Sequence, residues 1–162
     1  MSKSNSSKYE KYGRKWYEEH KEYHREYYRE YDKNLKRNAI YLLMDHSGKI
    51  LYVGKTSNLY RRIKNHVNHN SNLKLNKQIF NELKLHWEYA YADAVNSNEE
   101  LLYIESYLIN KFGRDNELLN EYEPYQNKFK KIDGLRRMQL EEIAEDLVFK
   151  KYNMSLIKNK LN

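Results

Sequence analysis

The 162-residue sequence contains no cysteine. Disulfides, zinc–thiolate sites and cysteine nucleophiles are therefore excluded. No uninterrupted apolar run approaches the length needed to cross a bilayer, and the polar N-terminus lacks the apolar centre of a signal peptide. The expectation is an intracellular, cytoplasmic protein with no membrane partner. Glycine and proline are also scarce, at five and one residues. With so few chain breakers and abundant Glu, Lys and Leu, the chain should be rich in helix. Acidic residues are missing from one region in particular. Residues 55–85 carry seven Lys/Arg against the single acid Glu82, whereas residues 86–120 carry two bases and seven acids. The whole chain has a formal charge of +7. A basic surface beside a more acidic one suits a nucleic-acid binder or a nuclease, and equally a solvated helix face.

What the chain has in excess is tyrosine, seventeen residues. Many fall between Tyr9 and Tyr31, where Tyr9, Tyr12, Trp16, Tyr23, Tyr27 and Tyr31 recur mostly at intervals of three or four. That spacing predicts a long amphipathic helix with an aromatic stripe, despite Gly13. Residues 1–37 carry eleven Lys/Arg and seven acids, and read as a Tyr-rich basic arm that docks on a surface, contacts nucleic acid or wraps.

From Asn38 the pattern changes. Asn38–Met44 and Lys49–Val53 are short apolar strand candidates joined by the polar turn Asp45-His46-Ser47-Gly48, which predicts a hairpin. A basic helix over 57–69 follows, capped by Thr56 or Ser57, then a short amphipathic helix around Leu75, Ile79 and Leu83. Trp87–Ala92 reads as a third strand. Asn98 should cap a strongly apolar helix containing Leu101, Ile104, Leu108 and Phe112 and ending at Gly113. The fold class expected is α/β (α+β): a small three-stranded antiparallel sheet with flanking helices covering one face, over residues 38–120. Residues 121–162, beyond Pro124, form a helical C-terminal segment. In it, LEEIAEDL and NMSLIKNKL have the rhythm of two short helices, which fits ordinary helical packing better than a DNA-reading helix-turn-helix because VFKKY between them is long for the turn.

Several chemistry-bearing groups converge under this arrangement. The hairpin brings Tyr41 and Tyr52 onto neighbouring strands, with Gly54 ending the second, and Arg62 and His66 lie four apart on one face of the basic helix. Glu105 is a carboxylate inside the most apolar helix, where a charge needs a partner such as Arg62 or a divalent ion. One carboxylate with waters and phosphate oxygens can hold Mg²⁺, because that ion retains water readily. Lys55, Arg61, Lys64, Lys74 and Lys77 supply a track for a phosphate backbone, which positions a substrate without reading its bases.

As a spaced set these residues resemble the GIY-YIG nuclease family. The first tripeptide stands as Ala39-Ile40-Tyr41 and the second as Tyr52-Val53-Gly54, extended by Lys55-Thr56. The family arginine falls on Arg62, its histidine on His66, its metal-binding glutamate on Glu105 and its late asparagine on Asn120. Ala39 replaces a glycine and Val53 an isoleucine, and neither exchange removes a reacting group. The resemblance implies a metal-dependent endonuclease acting on double-stranded DNA with Mg²⁺ or Mn²⁺ at Glu105. It implies roles for Tyr41 as the preferred base, Tyr52 in orienting water or phosphate, Arg62 in compensating phosphate charge and His66 in proton relay, with the two tyrosine roles exchangeable. Gly54 and Asn120 are assigned structural parts. A homing-type or phage-associated enzyme is favoured over a restriction enzyme, a DNA-structure-specific repair nuclease or a noncatalytic DNA-binding module, with the protein monomeric or dimeric.

Overall fold

The computed structural model describes residues 36–68, 77–120 and 129–154, together with Leu73 and residues 13, 15, 16, 18–23 and 25. The chain divides into two units, 1–36 and 37–162. In the first, the described residues are helical. Trp16 stacks on His20 at 4.5 Å, and Lys15–Glu19, Lys21–Glu18 and Arg25–Glu22 form ion pairs one helical turn apart. Tyr9, Tyr12, Tyr27 and Tyr31 of the expected aromatic stripe lie outside the described residues.

The second unit is built on a sheet in which β1 (Ala39–Met44) is central. It pairs antiparallel with β2 (Ile50–Thr56) on one side and β3 (His86–Tyr91) on the other. The β1–β2 turn forms because one Asp45 carboxylate oxygen accepts from the Ser47 and Lys49 amides and the Ser47 hydroxyl, while Gly48 takes a φ of 87°. The register slips between Leu43 and Met44, so Leu51 is an extra residue on β2. This bulge sends Leu51 and Tyr52 toward one face and Ile50 and Val53 toward the other.

Three helices of the nuclease-like segment follow the expected order: α1 (Leu59–Val67), α2 (Lys77–Glu82) and α3 (Asn98–Phe112). Their caps fall one or two residues from the expected ones. Asn58, not Thr56 or Ser57, accepts the Arg61 amide at the start of α1. Thr56 instead exchanges hydrogen bonds with the Asn58 backbone. Ser97, not Asn98, accepts the Glu100 amide at the start of α3, and the Glu100 side chain returns to the Asn96 amide. In α2 it is Phe80 that packs inward, while Ile79 and Leu83 are exposed.

The expectation that helices would cover only one face is not met. All of Ala39–Leu43 is buried, so both faces of β1 need cover. On one face Ile40, Leu42 and Val53 pack against Leu101, Ile104 and Leu108 of α3, and against Leu140 and Ala144 of α4 (Gly134–Glu145). On the other, Ala39, Tyr41 and Leu43 meet Leu59 and Ile63 of α1, with Leu73, Leu85 and Trp87. Helix α4 is fastened to α3 by Tyr103 donating to Glu141 and Tyr107 to Glu145, each at 2.6 Å. Arg136 adds a fork onto Glu100, both contacts at 2.8 Å.

After α4 the chain returns to the sheet. Lys150–Lys151 form β4 beside Glu88 and Tyr89, giving the strand order β2-β1-β3-β4. The VFKKY connection expected as the turn of a helix-turn-helix is thus partly a strand, held by Tyr152 N–H to the Trp87 carbonyl at 2.8 Å. The second helix of that reading, NMSLIKNKL, begins at Asn153 and Met154, which are not helical, and the rest of it lies outside the described residues.

Candidate active site

Tyr41 and Gly54 are direct partners across β1 and β2. The tyrosine ring lies over the glycine so closely that a Cβ on Gly54 would fall inside it. Glycine is needed here for space, since its φ is ordinary. The ring is thereby laid flat across the strand, with its hydroxyl directed at α1.

Two residues of α1 meet that hydroxyl. Arg62 Nε donates to Tyr41 Oη at 2.8 Å, and His66 Nε2 lies 2.9 Å from the same oxygen. In the His66 tautomer with a bare Nε2, that nitrogen takes the single phenolic proton, and the chain of donors then runs Arg62 to Tyr41 to His66. His66 is almost wholly buried, at 3% exposure. Burial, reinforced by the Arg62 charge, lowers its pKa to about 4, which leaves a neutral imidazole able to accept from Tyr41.

Tyr41 has no exposed surface, and burial pushes its phenol far above its ordinary range, with Tyr52 adding to the rise and Arg62 opposing it. A neighbouring cation alone would bring this phenol down. Loss of water outweighs one guanidinium. Tyr52 differs: it is half-buried, with its ring 6.1 Å from that of Tyr41.

Glu105 reaches the same region from α3. Its Oε1 accepts the Lys55 amide at 2.9 Å, at the end of β2. Burial raises its pKa against the opposing pull of Lys55 and Arg62. Oε2 accepts no hydrogen bond among the described residues. A half-buried carboxylate with one oxygen committed and one available suits a hard divalent cation. The described residues gather no cluster of three or more His, Asp or Glu, so protein would supply one ligand and water and phosphate the others.

The remaining sequence candidates are dispersed. Asn120 spans the outer side of β2, accepting from Val53 N–H at 2.9 Å and donating to Val53 C=O at 2.7 Å. The Lys55 ammonium donates to Asn98 Oδ1 at 2.7 Å. Arg61 is exposed, and Lys64 Nζ stands 6.0 Å from the Tyr60 ring centroid. Lys74 and the side chain of Lys77 lie outside what is described.

One participant escaped sequence reasoning. Trp87 stacks on His66 with centroids 5.0 Å apart and planes 22° apart, and meets Tyr41 edge-on at 5.7 Å. Its only available signal was the β1–β3 register, which sets it opposite Leu43 on the Tyr41 face.

Comparison with known proteins agrees with this geometry. The family model for the GIY-YIG catalytic domain matches residues 37–122. The UvrABC system protein C of Rickettsia rickettsii (strain Sheila Smith) is 36% identical over 77 residues, which is 48% of this chain and 11% of that protein. The protein of the same name from Mycoplasmoides gallisepticum is 34% identical over 91 residues, 56% of this chain and 14% of that protein. The matched stretch is thus a small part of these curated relatives. No solved structure matches. With its two tripeptides on paired strands, its arginine and histidine on the helix behind them, its glutamate at the strand end and more than half its length matched, the chain belongs to the GIY-YIG nuclease family.

Proposed function

We propose that the protein is a divalent-metal-dependent endonuclease that hydrolyses phosphodiester bonds in double-stranded DNA. The observation that carries this reading is the Arg62–Tyr41–His66 hydrogen-bond chain beside the half-buried Glu105 carboxylate. Glu105 would hold Mg²⁺ or Mn²⁺, which supplies charge stabilisation for the phosphate and the departing 3′ oxygen.

The residues of the chain divide the remaining work. Arg62 is fixed through Nε to Tyr41 and also hydrogen-bonds Tyr52, which aims its guanidinium to meet the phosphate and offset the charge that builds on it. Tyr52, the less buried tyrosine, orients the attacking water. As the water oxygen bonds to phosphorus and the bond to the 3′ oxygen breaks, the water proton passes through the tyrosine hydroxyls to neutral His66. Tyr41 need not ionise beforehand, since it can gain one proton as it gives another. Arg61 and Lys64, with Lys74 and Lys77, form the backbone track. Lys55 joins it once released from Asn98. Residues 1–37 and 121–162 supply recognition, most simply for a homing-type or phage-associated site-specific enzyme, in a cytoplasmic setting. A repair nuclease specific for DNA structure is the second reading, favoured by the similarity to the UvrABC system protein C sequences.

Incubation with supercoiled plasmid across a Mg²⁺ and Mn²⁺ titration tests the proposal. Nicked or linear product should form, and Glu105→Ala should abolish it while DNA affinity at low salt falls less than about tenfold. Full cleavage by Glu105→Ala would remove the metal assignment, and binding without cleavage by the unaltered protein would indicate a noncatalytic module.

A further inference from the structure

A second polar and aromatic cluster lies one strand away from the active site. Tyr89 meets Tyr91 edge-on at 5.3 Å and Tyr152 edge-on at 6.0 Å, and all three rings are half-buried. Burial and the neighbouring Tyr60, Tyr89 and Tyr91 push the Tyr152 phenol up to about 12, so that ring stays neutral.

Two cations, Arg37 and Lys150, lie against these rings, and the first is held in a fixed plane. Arg37 Cζ lies 3.8 Å from the Tyr91 ring centroid. The same guanidinium is forked onto Asp93, with Nε donating to Oδ1 at 2.6 Å and Nη2 to Oδ2. Asp93 neutralises the charge and locks the orientation, while the Arg37 side chain remains 52% exposed. What faces solvent is a flat guanidinium on an aromatic ring. Lys150 Nζ is 5.1 Å from the Tyr89 centroid and 5.9 Å from that of Tyr91, and makes no ion pair among the described residues.

A flat stacked surface with a free ammonium beside it matches a nucleotide whose base is outside the helical stack. Bases stack on aromatic rings and on arginine planes, and the adjoining phosphate takes a lysine. Paired bases inside a duplex offer no open face. The register sets distance: Tyr89 pairs with Tyr41 and Tyr91 with Ala39, so the platform is on the strand next to Tyr41, about 5 Å away at the backbone.

We propose that Arg37 and Tyr91, flanked by Tyr89, Tyr152 and Lys150, bind an unpaired nucleotide of the DNA beside the cut. This rests on the reading of the protein as a DNA nuclease and adds a substrate class: DNA carrying a flap, branch or loop near the scissile phosphate.

Fluorescence anisotropy in EDTA separates binding from cleavage. The probes are oligo-dT, oligo-U, a blunt duplex and the same duplex with a single-stranded flap. The unaltered protein should bind the flapped duplex about tenfold tighter than the blunt one. Tyr91→Leu and Arg37→Lys should each erase about tenfold of oligo-dT and flap affinity, leave the blunt duplex within about twofold, and retain a cooperative melt. Tyr91→Phe should bind as the unaltered protein does. Equal losses on blunt and flapped duplex would reduce the platform to a backbone contact and overturn the proposal. So would unchanged flap binding by folded Tyr91→Leu and Arg37→Lys, or tighter binding of oligo-U than of oligo-dT. Plasmid cleavage in Mg²⁺ is read separately. A chain that never cuts but shows this binding pattern loses the nuclease reading and keeps the platform, and the reverse result does the opposite.

Discussion

Strand β1 has two faces built to opposite rules. Toward α3 and α4 it presents Ile40 and Leu42 to a mainly aliphatic core that also holds Phe129 and Tyr103, and the polar contacts on that side run outward as the Arg136–Glu100 and Tyr103–Glu141 pairs. Toward α1 it presents Tyr41, whose hydroxyl is buried with His66 and Arg62, under a stacked Trp87. One face excludes polar groups and the other encloses them. Enclosed polar groups contribute little net stability but fix one another's positions, whereas aliphatic burial stabilises without directing anything. Alternate residues of a single strand therefore carry the holding of the fold and the chemistry of the site.

That division can be broken in a graded way. Arg62→Ala should show the largest effect, lowering cleavage rate by about 10²–10³-fold with a change in thermal midpoint of only a few degrees, as read by plasmid nicking and a circular dichroism melt. Loss of fold in proportion to activity would erase the contrast. Leu140→Ala on the opposite face should do the reverse, costing roughly 2–5 kcal/mol in a denaturant titration while the folded fraction cleaves at its former rate. Gly54→Ala lies where both demands meet, because the added methyl displaces the Tyr41 ring. It should cost about 1–3 kcal/mol and also most of the activity, and a fully active variant would show that the ring need not lie flat.

The smallest effect is in the pH dependence. His66 has a folded pKa below its unfolded value, so the unfolded chain binds more protons between about pH 6.5 and pH 4. Stability should fall as pH drops through that window. Replacing the imidazole by the uncharged amide in His66→Gln should flatten this part of the curve by about 1 kcal/mol or more, measured by urea titrations across the range. An unchanged slope would place the titration elsewhere.

How far the sequence revealed all this depends on how local each feature is. Tyr41 and Tyr52 were legible because a turn of four residues joins their strands, and Arg62 and His66 because one helix turn sets them together. Trp87 over His66 was not, since it depends on the pairing of β1 with a strand more than forty residues later. The direction of the Tyr41 shift was not legible for a related reason: sequence shows which charges are near but not how much water is removed. Lys150–Lys151 have no intrinsic preference for a strand, and become one because Tyr152 finds the Trp87 carbonyl. Caps shifted by a residue wherever several Ser, Thr and Asn side chains compete for one amide.

The amide of Asn120 on Val53 has a consequence beyond the site. Presenting one acceptor and one donor to the backbone of β2, and joined by Leu119 N–H on the Leu51 carbonyl, it stands in for the peptide group of a neighbouring strand. An uncovered strand invites other chains to pair with it, and here the invitation is withdrawn by a side chain. At the far side β4 ends the sheet with two exposed lysines, a poor template for further pairing. A sheet sealed at both margins by its own residues is self-sufficient, which makes it portable. That is a property suited to a module joined to unlike neighbours, which it does not aggregate through.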